Sequence, residues 1–259
     1  MKMFFYYATI AVSVFLFLFG YLHYQNKLES IAAESNEQAS ALAAPSKETV
    51  SEKEVKDVER ELGGTIKNLA EDIADGGEIR VTVFGSASLT SVDEADSFPH
   101  LLISEIQPSL PNHKLTLTVI EIDQATSAEV LENDYIDSVI DSQPDLLLTE
   151  LLMGNDYENI SFEDMFKNLE AILEQTKEAL PNTKIVTFPT NPIPHAADYD
   201  DQSNQLRKLI RNEGYVYANH WRAWPEEDEE LSLYVENQLP TKEGHLIWAD
   251  YMATYLLQE

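Results

Sequence analysis

A β-rich run, Ile79, Val81, Val83 and Phe84, ends abruptly at Gly85, and small hydroxyl residues follow at once at Ser86, Ser88, Thr90 and Ser91. A buried strand that hands serines to the end of a sheet offers candidate nucleophiles, because ligands of open α/β sheets sit at the carboxyl ends of the strands. The same residues would also serve as a polar turn capping the next helix. Acyl transfer needs a donor for the oxyanion and a base as well as a nucleophile. Those residue types occur where other strands should end: Asn155 in Met153–Asp156, His220 in His220-Trp221, and His245 just ahead of the last helix. Asn155 is the candidate oxyanion donor. The candidate bases are His220 first, then His245, with His195 in the loop after the fourth strand. Glu150, at the expected end of the third strand, is a carboxylate in a buried setting that needs a polar partner.

For these residues to meet, the elements must converge on one edge, and the chain alternates in the way that achieves this. Strand patterns fall at Ile79–Phe84, Leu115–Ile122, Leu146–Leu152, Ile185–Phe188 and Tyr215–Asn219. Helices are expected between them: one opened by Ser97 and Pro99, one over Ser127–Ile140, one capped by Ser161 with Asp164 and ending at Pro181, one over Tyr199–Glu213, and a last one from Lys242 to Leu257. Five strands alternating with helices imply an α/β fold, a three-layer doubly wound sheet of about five parallel strands.

Ahead of this domain the composition changes twice. Met3–Tyr21 is almost unbroken apolar sequence, with Lys2 the sole charge before it, so residues 1–24 are expected to be an uncleaved transmembrane anchor. Residues 25–77 are polar, alanine-rich and acidic, as a juxtamembrane stalk would be. Within them Val55, Val58, Leu62, Ile66, Leu69 and Ile73 form one helical stripe that can pair with a partner or fold back on the domain. The domain proper is placed at 78–259, outside the cell membrane that the anchor would cross. The chain of 259 residues has 46 acidic and 17 basic side chains and a formal charge of −29, which repels polyanions, so nucleic acid is not an expected partner. It has no cysteine, which excludes disulfides, thiolate metal sites, cysteine nucleophiles and a lipidated cysteine.

The folded part, Glu78 to Leu256, resembles the SGNH or GDSL hydrolase family. VFGSASLT is similar to the family's first block, FGDSLT; MGND at Met153–Asp156 to its GxND block; and LPTKEGHLIWAD at Leu239–Asp250 to its closing DxxHPNxxGH segment. HWRAWP, His220–Pro225, together with that closing segment, resembles a membrane-anchored subgroup of Gram-positive bacteria. The resemblance implies a flavodoxin-like fold and hydrolysis of an ester, such as an acetyl group on a carbohydrate, with no metal or cofactor. Matched from Leu89-Thr90, the family's nucleophile falls on Ser88, with Ser86 as the alternative; matched from Gly85 it falls on Ala87. Asn155 carries the asparagine role. No glycine near Asp123–Ser127 matches the second block, although any residue but proline offers the same N–H. Matching Pro240 and Gly244 puts the family histidine on Leu239 and its aspartate on Glu236, so a displaced base such as His220 is expected.

Other features carry less. Trp221, Trp224 and Trp248 suit either sugar stacking or core packing. The run Glu226–Glu230 is a solvated loop unless its carboxylates converge on a hard cation. No glycine-rich dinucleotide loop is present. The expectation is therefore a membrane-tethered, extracytoplasmic serine esterase or carbohydrate deacetylase acting on an ester or acetylated glycan. The alternative is a non-catalytic relative that binds an envelope glycan or a partner protein.

Overall fold

A computed structural model describes residues 64–258. The expected anchor, residues 1–24, and the stalk as far as residue 63 lie outside the described residues. Among the described residues no helix is long and apolar enough to cross a membrane.

Five parallel strands form the sheet: β1 (Glu78–Gly85), β2 (Lys114–Glu121), β3 (Leu146–Glu150), β4 (Lys184–Phe188) and β5 (Val216–Tyr217), in the order β2-β1-β3-β4-β5. The helices are α1 (Thr65–Asp72), α2 (Phe98–Ile106), α3 (Ser127–Glu132), α4 (Tyr135–Asp141), α5 (Met153–Asp156), α6 (Phe162–Ala179), α7 (Ala197–Asn212), α8 (Asp228–Leu231) and α9 (Lys242–Leu257). Alternate residues of the central strands face opposite layers. Val81, Val83, Leu146 and Leu148 pack in one cluster with Phe98, Leu102, Trp248 and Met252 from α2 and α9. Phe84 and Leu147 pack in the other, against Val130, Val139, Leu169, Ile172 and Leu206 from α3, α4, α6 and α7. Both faces being covered explains why β3 is buried along its whole length and reads as continuous apolar sequence. This is the expected three-layer, doubly wound architecture.

Three details differ from expectation, each for a local reason. The segment 127–140 forms two helices, because Asp134 adopts a left-handed φ of 51°, which aspartate tolerates better than most residues. The fifth strand shrinks to Val216–Tyr217, since only Val186 and Thr187 of β4 pair with it. Residues 64–77, assigned to the stalk on composition, fold back on the domain: Ile66 and Leu69 of α1 are buried in the cluster with α9, and the Gly64 N–H donates to the Tyr255 carbonyl.

The chain leaves β1 in one direction, to β2, and leaves β3 in the other, to β4. The switch point of the sheet therefore falls between β1 and β3, where a crevice opens at their carboxyl ends.

Candidate active site

Glu150 ends β3 at this switch point and is fully buried. Its Oε2 accepts the Ser86 N–H at 3.0 Å, and the Ser86 hydroxyl lies 2.9 and 3.0 Å from the two carboxylate oxygens. The Thr190 hydroxyl, just after β4, donates to Oε1 and itself accepts the Gly154 N–H at 3.1 Å. The Ser86 oxygen in turn accepts the Ser88 N–H at 3.2 Å. One carboxyl group thus ties together the ends of β1, β3 and β4 and the start of α5. Burial pushes the Glu150 carboxyl above its ordinary range, against the three donors that favour its charged form. The close approach also fixes Gly85: a Cβ there would lie 2.5 Å from Glu150 Oε2 and 2.6 Å from its Cβ.

Around this tie lies a cleft of about 590 Å³. Ser86, Ser88 and Asn155 all line it, so the structure brings the expected serines and asparagine to one place. The Ser88 side chain is free of hydrogen bonds to the described residues, unlike that of Ser86. Asn155 is delivered by α5, whose entry is set by Leu152 at a left-handed φ of 48°. A buried leucine in that region costs roughly 1–3 kcal/mol and persists only where its surroundings hold it. Here its carbonyl accepts the N–H groups of Asn155 and Asp156.

The Asn155 carboxamide is not free to hold an oxyanion. The Asn155 amide nitrogen donates to the Asp123 carbonyl at 3.1 Å and to the Ala125 carbonyl at 2.8 Å, so it holds the loop after β2. The Ala87 N–H is taken by the Asp123 carbonyl, and the Gly154 N–H by Thr190. Gln124 differs: it lines the cleft, and its N–H has no partner among the described residues. Gln124 lies in the loop where the family glycine was missed, which sequence reasoning could not single out because every non-proline residue carries the same group.

His220, the expected base, is fully buried away from the cleft. Its Nε2 lies 2.8 Å from the Pro189 carbonyl, its Nδ1 accepts the Trp224 indole N–H at 3.0 Å, and its ring stacks on Trp248 with centroids 4.3 Å apart. Both nitrogens are committed, and burial pulls the imidazole down to about 3. His245 is likewise buried at the start of α9; its Nδ1 accepts the Phe98 N–H at 3.2 Å, and burial pulls it down to about 4. Neither histidine lines the cleft. Leu239, in the place of the family histidine, stands on a hairpin of β6 (Val235–Glu236) and β7 (Leu239–Pro240), whose turn residues Asn237 and Gln238 both have positive φ. That hairpin lines the cleft with apolar and carboxamide groups.

His195, which the sequence ranks behind His220, does line the cleft. The tryptophans settle as core and support: Trp248 and Trp224 are buried, and the Trp221 indole donates to the Thr190 carbonyl at 2.6 Å. Glu226–Glu230 do not converge, and among the described residues no group of three or more histidine or acidic side chains is arranged to hold a metal ion.

The chain matches no protein-family model and no curated protein. Solved structures do resemble it. A peptidoglycan O-acetylesterase superposes with a TM-score of 0.61 at 9% identity, covering 75% of this chain and 93% of its own. A protein of Desulfitobacterium hafniense DCB-2, described as lipolytic and of the G-D-S-L family, gives 0.56 at 12%, covering 67% and 97%. A carbohydrate esterase of family 3 from Talaromyces cellulolyticus gives 0.55 at 15%, covering 70% and 97%. The described domain therefore has the fold of the SGNH and GDSL hydrolases.

Proposed function

We propose that this chain is a serine esterase of SGNH/GDSL type that removes short acyl groups, such as acetyl, from a neutral carbohydrate. The observation that carries the reading is the cleft at the switch point, where the unpartnered Ser88 hydroxyl meets a lining that includes the carboxamides of Gln124, Asn237 and Gln238. Each carboxamide both donates and accepts, which matches the hydroxyls of a sugar. Among the described residues no lysine or arginine lines the cleft, which favours a neutral substrate over one with an anionic headgroup. Ser88 attacks the acyl carbon, and the Gln124 N–H is available for the oxyanion. Ser86 is held by Glu150 as the support of the nucleophile loop. The esterases that share the fold, on acetylated peptidoglycan and on carbohydrate, support the substrate class.

The apolar run Met3–Tyr21 and the acidic bulk behind it support a tether in the cell membrane with the domain outside. The deciding experiment is hydrolysis of p-nitrophenyl acetate and of an O-acetylated neutral polysaccharide by the wild type, Ser88→Ala and Ser86→Ala. The reading requires turnover that Ser88→Ala abolishes. The expended N–H groups of Ala87, Gly154 and Asn155 favour a second reading, a glycan-binding protein without turnover. Retention on immobilised acetylated glycan with no hydrolysis would establish that one.

A further inference from the structure

With His220 and His245 committed to the core, the esterase reading leaves Ser88 without a base. The cleft wall after β4 holds a histidine in an unusual setting. His195 has a left-handed φ of 61°, and Asp228 grips it twice: Oδ1 accepts the His195 backbone N–H at 2.8 Å, and Oδ2 lies 2.9 Å from Nδ1. A carboxylate at that distance keeps a proton on Nδ1 and leaves the Nε2 lone pair as the acceptor. Nε2 has no hydrogen-bond partner among the described residues. Asp228 opens α8 and His195 precedes α7, so the pair joins two segments that lie 33 residues apart. The pair is exposed, His195 at 68% and Asp228 at 45%, and the histidine stands on the wall of the same cleft that Ser88 lines, so Nε2 is open to it.

We propose, resting on the esterase reading, that His195 is the general base for Ser88 and that Asp228 is its positioning residue. These are not the places the sequence resemblance assigns, Leu239 and Glu236. In acylation Nε2 takes the Ser88 hydroxyl proton as Oγ bonds to the acyl carbon, and returns it to the sugar oxygen as that C–O bond breaks. In deacylation water attacks the acyl-serine, Nε2 takes the water proton, and the departing Ser88 oxygen receives it. The sum is ester plus water giving acid plus alcohol.

The test compares wild type, Ser88→Ala, His195→Ala and Asp228→Asn by p-nitrophenyl acetate turnover and by the rate at which a sulfonyl fluoride labels Ser88, read by mass spectrometry. A base contributes about 10²- to 10⁴-fold, so His195→Ala should lose at least 100-fold in both assays, and added imidazole should restore part of the loss. Asp228→Asn should lower kcat with KM little changed. Full labelling and turnover in a folded His195→Ala, with Ser88→Ala inactive, would overturn the base and leave the esterase standing. A loss that imidazole does not restore would also overturn it, as damage to the cleft wall. Turnover unaffected by Ser88→Ala would remove the esterase reading itself, and the base with it.

Discussion

At Glu150, three donors pull the carboxyl toward its charged form and burial pushes it the other way, and burial is the larger effect. The folded state therefore holds a proton more tightly than the unfolded chain, whose carboxyl titrates near 4.5. Above that pH the unfolded state sheds its proton first, so stability falls as pH rises, until the folded group has also ionised. Urea unfolding of wild type and Glu150→Gln should show the variant gaining on the wild type from about pH 4.5 upward, before levelling off. A constant difference across pH would contradict the burial argument. Glu150→Ala should cost about 2–4 kcal/mol near pH 4, and less as pH rises, because it leaves the Ser86 N–H and the Thr190 hydroxyl without their acceptor and opens a hole beneath the cleft but also removes the carboxyl that resists ionisation.

The two buried histidines work in the opposite sense. His220 and His245 stay neutral when folded, pulled down to about 3 and about 4, whereas the unfolded chain takes up their protons near 6.5. Stability is thus lost as pH falls below 6.5, by up to about 1.4 kcal/mol per pH unit for each histidine. His220→Ala should cost roughly 3 kcal/mol, from the lost stacking on Trp248 and the unpaired Trp224 and Pro189 groups, and should flatten this acid limb. Turnover per folded molecule should stay within about twofold. A selective loss of kcat would return His220 to the site. The residue types of acyl transfer were legible in the sequence; their burial was not. Nothing in HWRAWP says that its histidine turns inward between two tryptophans, and the Asp228 grip on His195 joins segments with no shared local signal.

Among the elements, those with strong local signals fell where they were expected. Thr241 caps α9, its hydroxyl accepting the Gly244 N–H, and the helix spans Lys242–Leu257 as read. Ser161 caps α6 in the same manner. The misses came where tertiary contacts outweigh propensity, at the break at Asp134 and the two-residue β5, whereas the return of α1 onto α9 is one of the two outcomes its helical stripe allows. Gly244 shows how tightly α9 is seated, because a Cβ there would fall 2.4 Å from the Tyr234 carbonyl and 3.0 Å from the Trp224 ring. Backbone cannot retreat as a flexible side chain can. Gly244→Ala, although it raises helix propensity by about 1 kcal/mol, should therefore lower stability by at least 1 kcal/mol, with a matching drop in Tm. A gain in Tm would mean that the hairpin Val235–Pro240 yields easily, and that this cleft wall is loosely held.

The whole molecule adds a long-range field to the local chemistry. A formal charge of −29 on 259 residues far exceeds what the exposed ion pairs Arg80–Asp145, Lys167–Glu163 and Lys242–Asp96 neutralise locally. Carboxylates repel one another across the surface, and they repel anionic substrates approaching a cleft where no lysine or arginine stands among the described residues. Salt screens both, with a Debye length of about 30 Å at 0.01 M and about 3 Å at 1 M. Raising NaCl over that range should increase Tm, because relief of self-repulsion outweighs the loss of a few exposed pairs worth about 0–1 kcal/mol each. The same series separates substrate classes. KM for a neutral acetyl ester should hardly move, since a neutral molecule feels no net force from the field. KM for an ester bearing a carboxylate should fall as salt rises, by an amount that tracks the screening. Equal salt dependence for both esters would mean that the field does not reach the cleft. A KM for the anionic ester that rises with salt would require a cationic contact that the cleft lining lacks, and would move the substrate assignment from neutral carbohydrate to an acidic polymer.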